Sequence, residues 1–150
     1  MITTTFPTMK AIVQKGYGAP ERVLKLEEVD RPSVGDDDVL IRVRATSVNT
    51  PDWITVAGLP YLLRLRSGLR QPSNPVRGSD VAGIVEAVGN NVTDLQPGDE
   101  VFGSSWDNTM STRAGTFAEL TVAPASRLIK KAIGLTFDEA AASVMRASPR

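Results

Sequence analysis

The sequence predicts a mainly β protein that forms a small, partly open barrel with only short helices. Strand-length stretches with alternating apolar and polar residues recur along most of the chain. Glycine- and proline-rich turns separate them, and the helical patterns are short. With 150 residues, of which 41% are apolar, the chain is large enough for one hydrophobic core.

The first three strands are predicted by period-2 alternation, which is typical of strands with one buried face. They cover residues 9–15, 23–29 and 39–48. Turn residues at 16–20 and 31–38 separate them. Thr50 then predicts an N-cap and Pro51 the first residue of a short helix that ends near Ala57.

The glycine-rich stretch 78–103 predicts two further strands, at 81–89 and 100–103, joined by turns. Gly83 interrupts the first of these strands, which indicates a bulge or a sharp bend. No helix start follows these glycines to present its N–H groups to a phosphate. The glycines are therefore interpreted as turn residues.

Later strands are predicted at 116–124 and 127–130. Thr136 and Glu139 have the spacing of a capping box, which predicts a helix over the following alanine-rich residues. The segment 59–77 contains four arginines. These arginines either bind an anionic cofactor or substrate, or form the solvated face of a loop.

The composition excludes several kinds of site. Seventeen basic and seventeen acidic residues cancel, so a nucleic-acid partner is not expected. No apolar run approaches the roughly 20 residues that span a bilayer, and no leader pattern is present, so we expect no membrane partner and a cytoplasmic location. The chain contains neither cysteine nor histidine, which excludes disulfides, an ordinary zinc site and a histidine general base.

Several segments, in order and at suitable separations, carry a family resemblance. They are MKAIV with the glycines after it, DDDVLIRVRATSVNTPDW, GSDVAGIVEAVGNNVTDLQPGDEVFG, GTFAEL and LTFDEAAA. Together they resemble the N-terminal, GroES-like domain of the medium-chain dehydrogenase/reductase superfamily. In its zinc-dependent members a cysteine follows the valine at the end of the third strand, and a His-Glu pair follows the first glycine of the glycine-rich stretch. Here Asn49 and the pair Ser79 and Asp80 stand in those places.

The pattern Val48-Asn49 followed by Asp52 resembles the zinc-independent quinone oxidoreductase branch. This resemblance implies NADPH as cofactor and a quinone or an α,β-unsaturated carbonyl (an enone) as small-molecule substrate. Asn49 and Asp52 are then the candidate catalytic residues, Asn49 and Trp53 the candidate cofactor-binding residues, and no residue is a metal ligand. Hydride transfer builds negative charge on the acceptor oxygen, for which the Asn49 amide offers a hydrogen-bond donor.

The residues themselves leave alternatives open for each candidate. Asn49 could instead satisfy its own backbone at a strand end, and Asp52 could interact with the helix dipole. Trp53 lines a cleft or packs into the core.

The predicted domains are a substrate-side GroES-like domain at 1–133 and, at 134–150, the first helix of the connection to a nucleotide-binding domain. We expect no Rossmann domain within these 150 residues, because the nearest fingerprint, at 16–21, lacks its third glycine and is interpreted as a hairpin turn. We therefore expect the chain alone to bind no NADPH and to be inactive. The residues at 146–150 suggest a truncated gene product, a frameshifted end or an artificial boundary of the sequence.

The same reasoning predicts that the apolar surface at 140–145 is exposed or covered by another molecule. A Rossmann-domain partner or a homo-oligomer would provide that cover. The alternative function is a stand-alone, non-enzymatic GroES-like module for binding or oligomerisation.

Overall fold

The computed structural model of the protein describes residues 7–106, 112 and 114–147. Within these residues, the chain forms seven strands in two antiparallel sheets, which confirms the predicted mainly β architecture. The strands are β1 (Thr8–Gln14), β2 (Leu24–Asp30), β3 (Asp38–Ala45), β4 (Asp80–Val88), β5 (Glu100–Ser104), β6 (Leu120–Pro124) and β7 (Leu128–Lys130). β6 begins at Leu120, four residues after the start of the strand predicted at 116–124.

The two sheets form a partly open barrel. One is the hairpin of β1 and β2, and the other has the strand order β6-β3-β4-β5-β7. The segment before β6 joins them, because Ile12 N donates to Phe117 O at 2.7 Å and Glu119 N donates to Lys10 O at 3.0 Å. The segment before β4 joins them as well, because Gln14 N donates to Pro75 O at 2.7 Å. In the part of the chain that the structure describes, the outer edge of β2 pairs with no strand, so the barrel stays partly open.

The main hydrophobic core lies against the two central strands, β3 and β4. Val39, Ile41, Val81 and Val101 are fully buried there, and Val85 is almost so. Burying one such β-branched side chain stabilises the fold by about 1.5–3 kcal/mol. The core therefore makes β3 and β4 a firm support for the residues at their ends.

A β-bulge lies where the sequence predicts one, next to Gly83. Val43 pairs with Gly83 and Ala45 with Ala82, which leaves Arg44 as the extra residue on β3. The backbones approach closely at this point, since a Cβ atom at Gly83 would lie only 2.2 Å from Arg42 O. A side chain is therefore sterically excluded at residue 83.

The helices are short. They are α1 (Pro20–Val23), α2 (Thr50–Ala57), α3 (Arg64–Ser67) and α4 (Phe137–Ala147), with 3₁₀ turns at Tyr61–Leu63 and Ala125–Arg127. α2 matches the prediction except that its N-cap is Asn49 instead of Thr50. The Thr136 and Glu139 capping box is confirmed, with reciprocal hydrogen bonds of 3.2 and 2.9 Å.

The predicted exposure of the 140–145 surface is wrong for the three residues that form the helix face. Ala140, Ala141 and Val144 are each at most 3% exposed. The two alanines pack against Ala82 on β4, with Phe102 on β5 beside them. The domain's own sheet covers this face, so no second molecule is required there.

No helix in the described ranges is both long and apolar enough to cross a membrane. Residues 148–150, on which part of the truncation hypothesis depends, lie outside the described residues.

Candidate active site

The candidate site lies where β3 ends, α2 begins and β4 starts. β3 and β4 are antiparallel neighbours, and their register pairs Ala45 with Ala82. The end of β3 therefore lies beside the start of β4. Residues 46–49 leave β3 at this point, and Asn49 immediately precedes the first turn of α2.

Asp80, the first residue of β4, connects these elements. Its Oδ2 accepts hydrogen bonds from Ser47 Oγ at 2.8 Å and from Asn49 Nδ2 at 2.6 Å. Asn49 Nδ2 also lies 3.2 Å from Ser47 Oγ, and Thr46 Oγ1 donates to Asp80 O at 2.6 Å. Asp80 is only 3% exposed. A buried carboxylate thus holds the two polar side chains that precede α2.

Asp52 lies in the first turn of α2 and bonds back to Asn49. Asn49 N donates to Asp52 Oδ2 at 2.8 Å, and Asp52 N donates to Asn49 O at 3.0 Å. Asp52 is 7% exposed. The structure therefore brings the two candidate catalytic residues together, and both satisfy backbone groups at the helix start.

The electrostatics of the site are those of two buried carboxylates beside one guanidinium. Burial raises the pKa of Asp80 above the ordinary value of 3.8, while the hydrogen bonds from Ser47 and Asn49 oppose that rise. Burial also raises the pKa of Asp52, and the charge of Asp80 adds to the effect, whereas a hydrogen bond from Asn49 and the charge of Arg77 lower it. Protonation at this site is therefore easier than at an ordinary aspartate.

Arg77, which precedes β4, is the cation of this cluster. Its own pKa is lowered by burial, which the charges of Tyr17 and Asp52 counteract. Its Nη2 donates to Asn74 O, and its Nε is buried with no hydrogen-bond partner among the described residues. The second alternative for the arginines of 59–77, a solvated loop face, does not describe this residue.

Trp53 lies on α2 one residue after Asp52 and is 56% exposed. The alternative that it packs into the core is therefore wrong. Val48, on the other side of Asn49 in the chain, is 76% exposed. Exposed apolar side chains thus follow and precede the polar start of α2.

The segment after α2 carries further exposed apolar side chains. Leu59, Tyr61, Leu62, Leu65 and Leu69 are 40–73% exposed. We call residues 59–69 the apolar segment.

A cation–π stack holds this segment to the domain. The Arg64 guanidinium lies 4.5 Å from the Tyr17 ring centre and 4.6 Å from that of Tyr61. Its Nε also donates to Gly58 O at 3.0 Å. Because this guanidinium already has two rings and a carbonyl as partners, it orders the chain locally.

A groove of about 790 Å³ lies at the opposite end of β3. It is lined by residues around Asp37, Asp94 and Lys130. The strand between them has eight residues, which separates the groove from Asn49 by more than roughly 20 Å. The groove is therefore distinct from the candidate site.

The sequence indicates Asp80 only as a replacement for a family residue, gives Arg77 only the two alternatives for the arginines of 59–77, and gives no role to Ser47. One signal was available, because Asp80 is a charged residue at the start of an otherwise apolar strand. Such a residue is buried only when it has partners. The partners themselves are 31 and 33 positions away and become neighbours only through strand pairing.

These residues do not fit a zinc ion. Zinc sites in proteins use mainly thiolate and imidazole ligands, and the chain has neither group. Asn49 directs its side-chain nitrogen, which cannot coordinate a metal, at the carboxylate of Asp80. Among the described residues, no group of three or more acidic, cysteine or histidine side chains is placed to hold a metal.

Comparison with known proteins places this geometry in a family. Residues 35–133 match the model of the alcohol dehydrogenase GroES-like domain. The chain is 38% identical over 138 residues to a quinone oxidoreductase from Homo sapiens, which covers 89% of this chain and 37% of that protein.

Solved structures of quinone oxidoreductases have a domain with the same fold as this chain. The quinone oxidoreductase from Coxiella burnetii superposes with a TM-score of 0.79 at 29% identity, covering 94% of this chain and 42% of the other. The Escherichia coli quinone oxidoreductase complexed with NADPH gives a TM-score of 0.74 at 24% identity, covering 91% and 37%, which shows a shared fold.

The chain thus spans between a third and a half of the length of these similar proteins. The family match covers most of the chain, from before β3 to beyond β7, and includes Asn49, Asp52 and Asp80. The chain therefore belongs to the alcohol dehydrogenase GroES-like domain family, and its relatives include quinone oxidoreductases of the medium-chain dehydrogenase/reductase superfamily.

Proposed function

We propose that this chain supplies the substrate-side wall of the pocket in a zinc-independent, NADPH-dependent reductase of quinones or enones. The observation that carries the proposal is the 2.6 Å hydrogen bond between Asn49 and Asp80. In zinc-dependent relatives the position of Asn49 holds the cysteine, and the position of Asp80 holds the glutamate of the His-Glu pair. Where those relatives have metal-binding side chains, this chain has a buried polar cluster.

The division of the chain belongs to the same proposal. Residues 1–133 form the substrate-side domain, and 134–150 begin the connection to a nucleotide-binding domain. The greater length of the similar proteins supports it. NADPH, when bound, supplies the hydride, and the phosphate-binding residues belong to that second domain. We therefore expect the 150-residue chain alone to show no saturable NADPH binding.

The chemical demand on this wall is to stabilise negative charge on the acceptor oxygen. Asn49 Nδ2 has two hydrogens. One is held in the short bond to Asp80, and the longer 3.2 Å contact to Ser47 is the one that an acceptor oxygen can replace. The amide also lies at the N-terminus of α2, where the helix dipole favours negative charge. Asn49 is thus the residue we assign to the oxyanion.

Asp52 and Trp53 support this arrangement in different ways. Asp52 fixes Asn49 by accepting a hydrogen bond from its backbone N–H, and burial raises the pKa of Asp52. Trp53 presents an exposed apolar ring beside the polar cluster. Such a ring can pack against the nicotinamide and exclude water from it.

A domain-exchange chimera tests the proposal. The corresponding 138 residues of the human quinone oxidoreductase are replaced by those of this chain, and NADPH oxidation is followed with 1,4-naphthoquinone as acceptor. We expect turnover, and we expect Asn49→Ala to lower kcat/KM about 100-fold, the effect of removing one oxyanion donor. Asn90→Ala is the matched control, because Asn90 is exposed and bonds to Asp36 on the surface.

Equal rates for the two variants in a chimera that turns over would contradict the assignment of Asn49. If the chimera does not fold, the 150-residue chain still provides a test. In a Trp106→Phe background Trp53 is the only tryptophan. Saturable quenching of its fluorescence by the quinone supports the proposal, and quenching that rises linearly without saturation contradicts it.

A further inference from the structure

We propose that Asp80 is a positioning residue that fixes which end of the Asn49 amide faces the substrate pocket. The inference rests on the proposed function, because it concerns the same site. It assigns a role to a side chain that does not itself contact the acceptor.

The chemistry of the two groups determines the orientation. An ionised carboxylate only accepts hydrogen bonds, whereas the Asn49 amide has one donating and one accepting end. Asp80 Oδ2 already accepts from Ser47 at 2.8 Å and takes a second bond from Asn49 Nδ2 at 2.6 Å. Turning the amide by 180° would bring its oxygen against the carboxylate. The ionised Asp80 therefore holds the nitrogen of Asn49 inwards and keeps one N–H available beside Ser47.

Burial makes this constraint strong. Asp80 is 3% exposed, so water cannot easily replace a lost partner. Asn49 is also anchored at its backbone by Asp52. Its main chain is thus fixed by α2, and its amide orientation is left to Asp80.

The constraint depends on the charge of Asp80. A protonated or amide side chain at residue 80 can donate as well as accept, so it would tolerate both orientations of Asn49. The charged groups that act on the cluster are Asp52, on α2, and Arg77, before β4. The other neighbours, Ser47 after β3 and Ser104 opposite Asp80 on β5, carry no charge. Asp52 is therefore the residue whose titration must be separated from that of Asp80.

NMR on the ¹⁵N-labelled 150-residue chain tests this without cofactor or acceptor. The Asn49 side-chain NH₂ signals are assigned as those lost in Asn49→Asp, and are followed from pH 7 to pH 3.5. We expect one of the two protons to resonate downfield of ordinary asparagine, as in a charge-assisted hydrogen bond, and to move upfield as Asp80 is protonated. In Asp80→Asn the downfield shift and its titration should both be lost, while Asp52→Asn should retain them.

Two results would overturn the proposal. One is an Asn49 NH₂ pair that does not change with pH in the unsubstituted chain, a measurement that needs no variant to fold. The other is a titration that disappears in Asp52→Asn and persists in Asp80→Asn. Neither result depends on whether the chain reduces quinones, so failure here is distinguishable from failure of the proposed function.

Discussion

Replacing Gly83 with alanine should destabilise the domain severely, because the bulge leaves no space for a side chain. The new Cβ would lie 2.2 Å from Arg42 O and 2.8 Å from Ile41 Cγ2. Ordinary van der Waals contact begins near 3.4 Å, so the strands must separate by about 1.2 Å (3.4 minus 2.2). The Arg42 carbonyl belongs to β3, which pairs with a strand on both sides, so it cannot move freely.

We expect Gly83→Ala to lower the free energy of unfolding by about 3 kcal/mol, the upper part of the usual overpacking range. With a urea m-value of about 2 kcal/mol/M, the midpoint falls by roughly 1.5 M. Gly134→Ala is the control, because a Cβ there meets nothing within 4 Å. Its midpoint should stay within about 0.25 M of the unsubstituted chain. Equal urea midpoints for the two variants would contradict the close approach of the Gly83 and Arg42 backbones at the bulge.

Two further predictions concern the core and pH. Ile41 is fully buried, so Ile41→Ala should lower the free energy of unfolding in urea by about 2–5 kcal/mol. Ile133 is fully exposed, so the control Ile133→Ala should lower it by less than about 0.5 kcal/mol. Similar losses in the two variants would contradict the burial pattern. Asp52 and Asp80 have raised pKa values, so they bind more protons in the folded state between pH 3.8 and their folded pKa. Asp99 and Glu139, whose pKa values are lowered by hydrogen bonds, act in the opposite direction. As pH falls from 7 towards 3.8, the urea midpoint of the unsubstituted chain should therefore rise relative to that of Asp52→Asn; a relative fall over this range would refute the sign.

Local patterns predicted the fold well because the signals are short-range. The alternation of apolar and polar residues predicted the strand ends to within a few residues of those observed, and the Thr136 and Glu139 spacing predicted the start of α4. The N-cap of α2 was misplaced by one residue, since both Asn49 and Thr50 are good capping residues. The short helical turns at 61–67 were missed, because the arginines and leucines there follow no clear period.

Long-range packing explains what the sequence did not reveal. The alanine face of α4 was expected to be exposed or covered by another molecule, yet Ala82 and the domain's own sheet cover it. The role of Asp80 has the same origin, because its partners come from the other side of a strand pair. Asn49 and Asp52 were identifiable as candidates because the pattern Val48-Asn49 followed by Asp52 resembles the zinc-independent quinone oxidoreductase branch.

Mapping where a quinone binds would test the central claim most directly. ¹H–¹⁵N spectra of the 150-residue chain are recorded during a titration with 1,4-naphthoquinone. We predict saturable shifts at the amides of Asn49 and Trp53 and at the Asn49 side chain. Shifts confined to the groove near Asp37 and Asp94, more than roughly 20 Å away, would show that the start of α2 is not the substrate site.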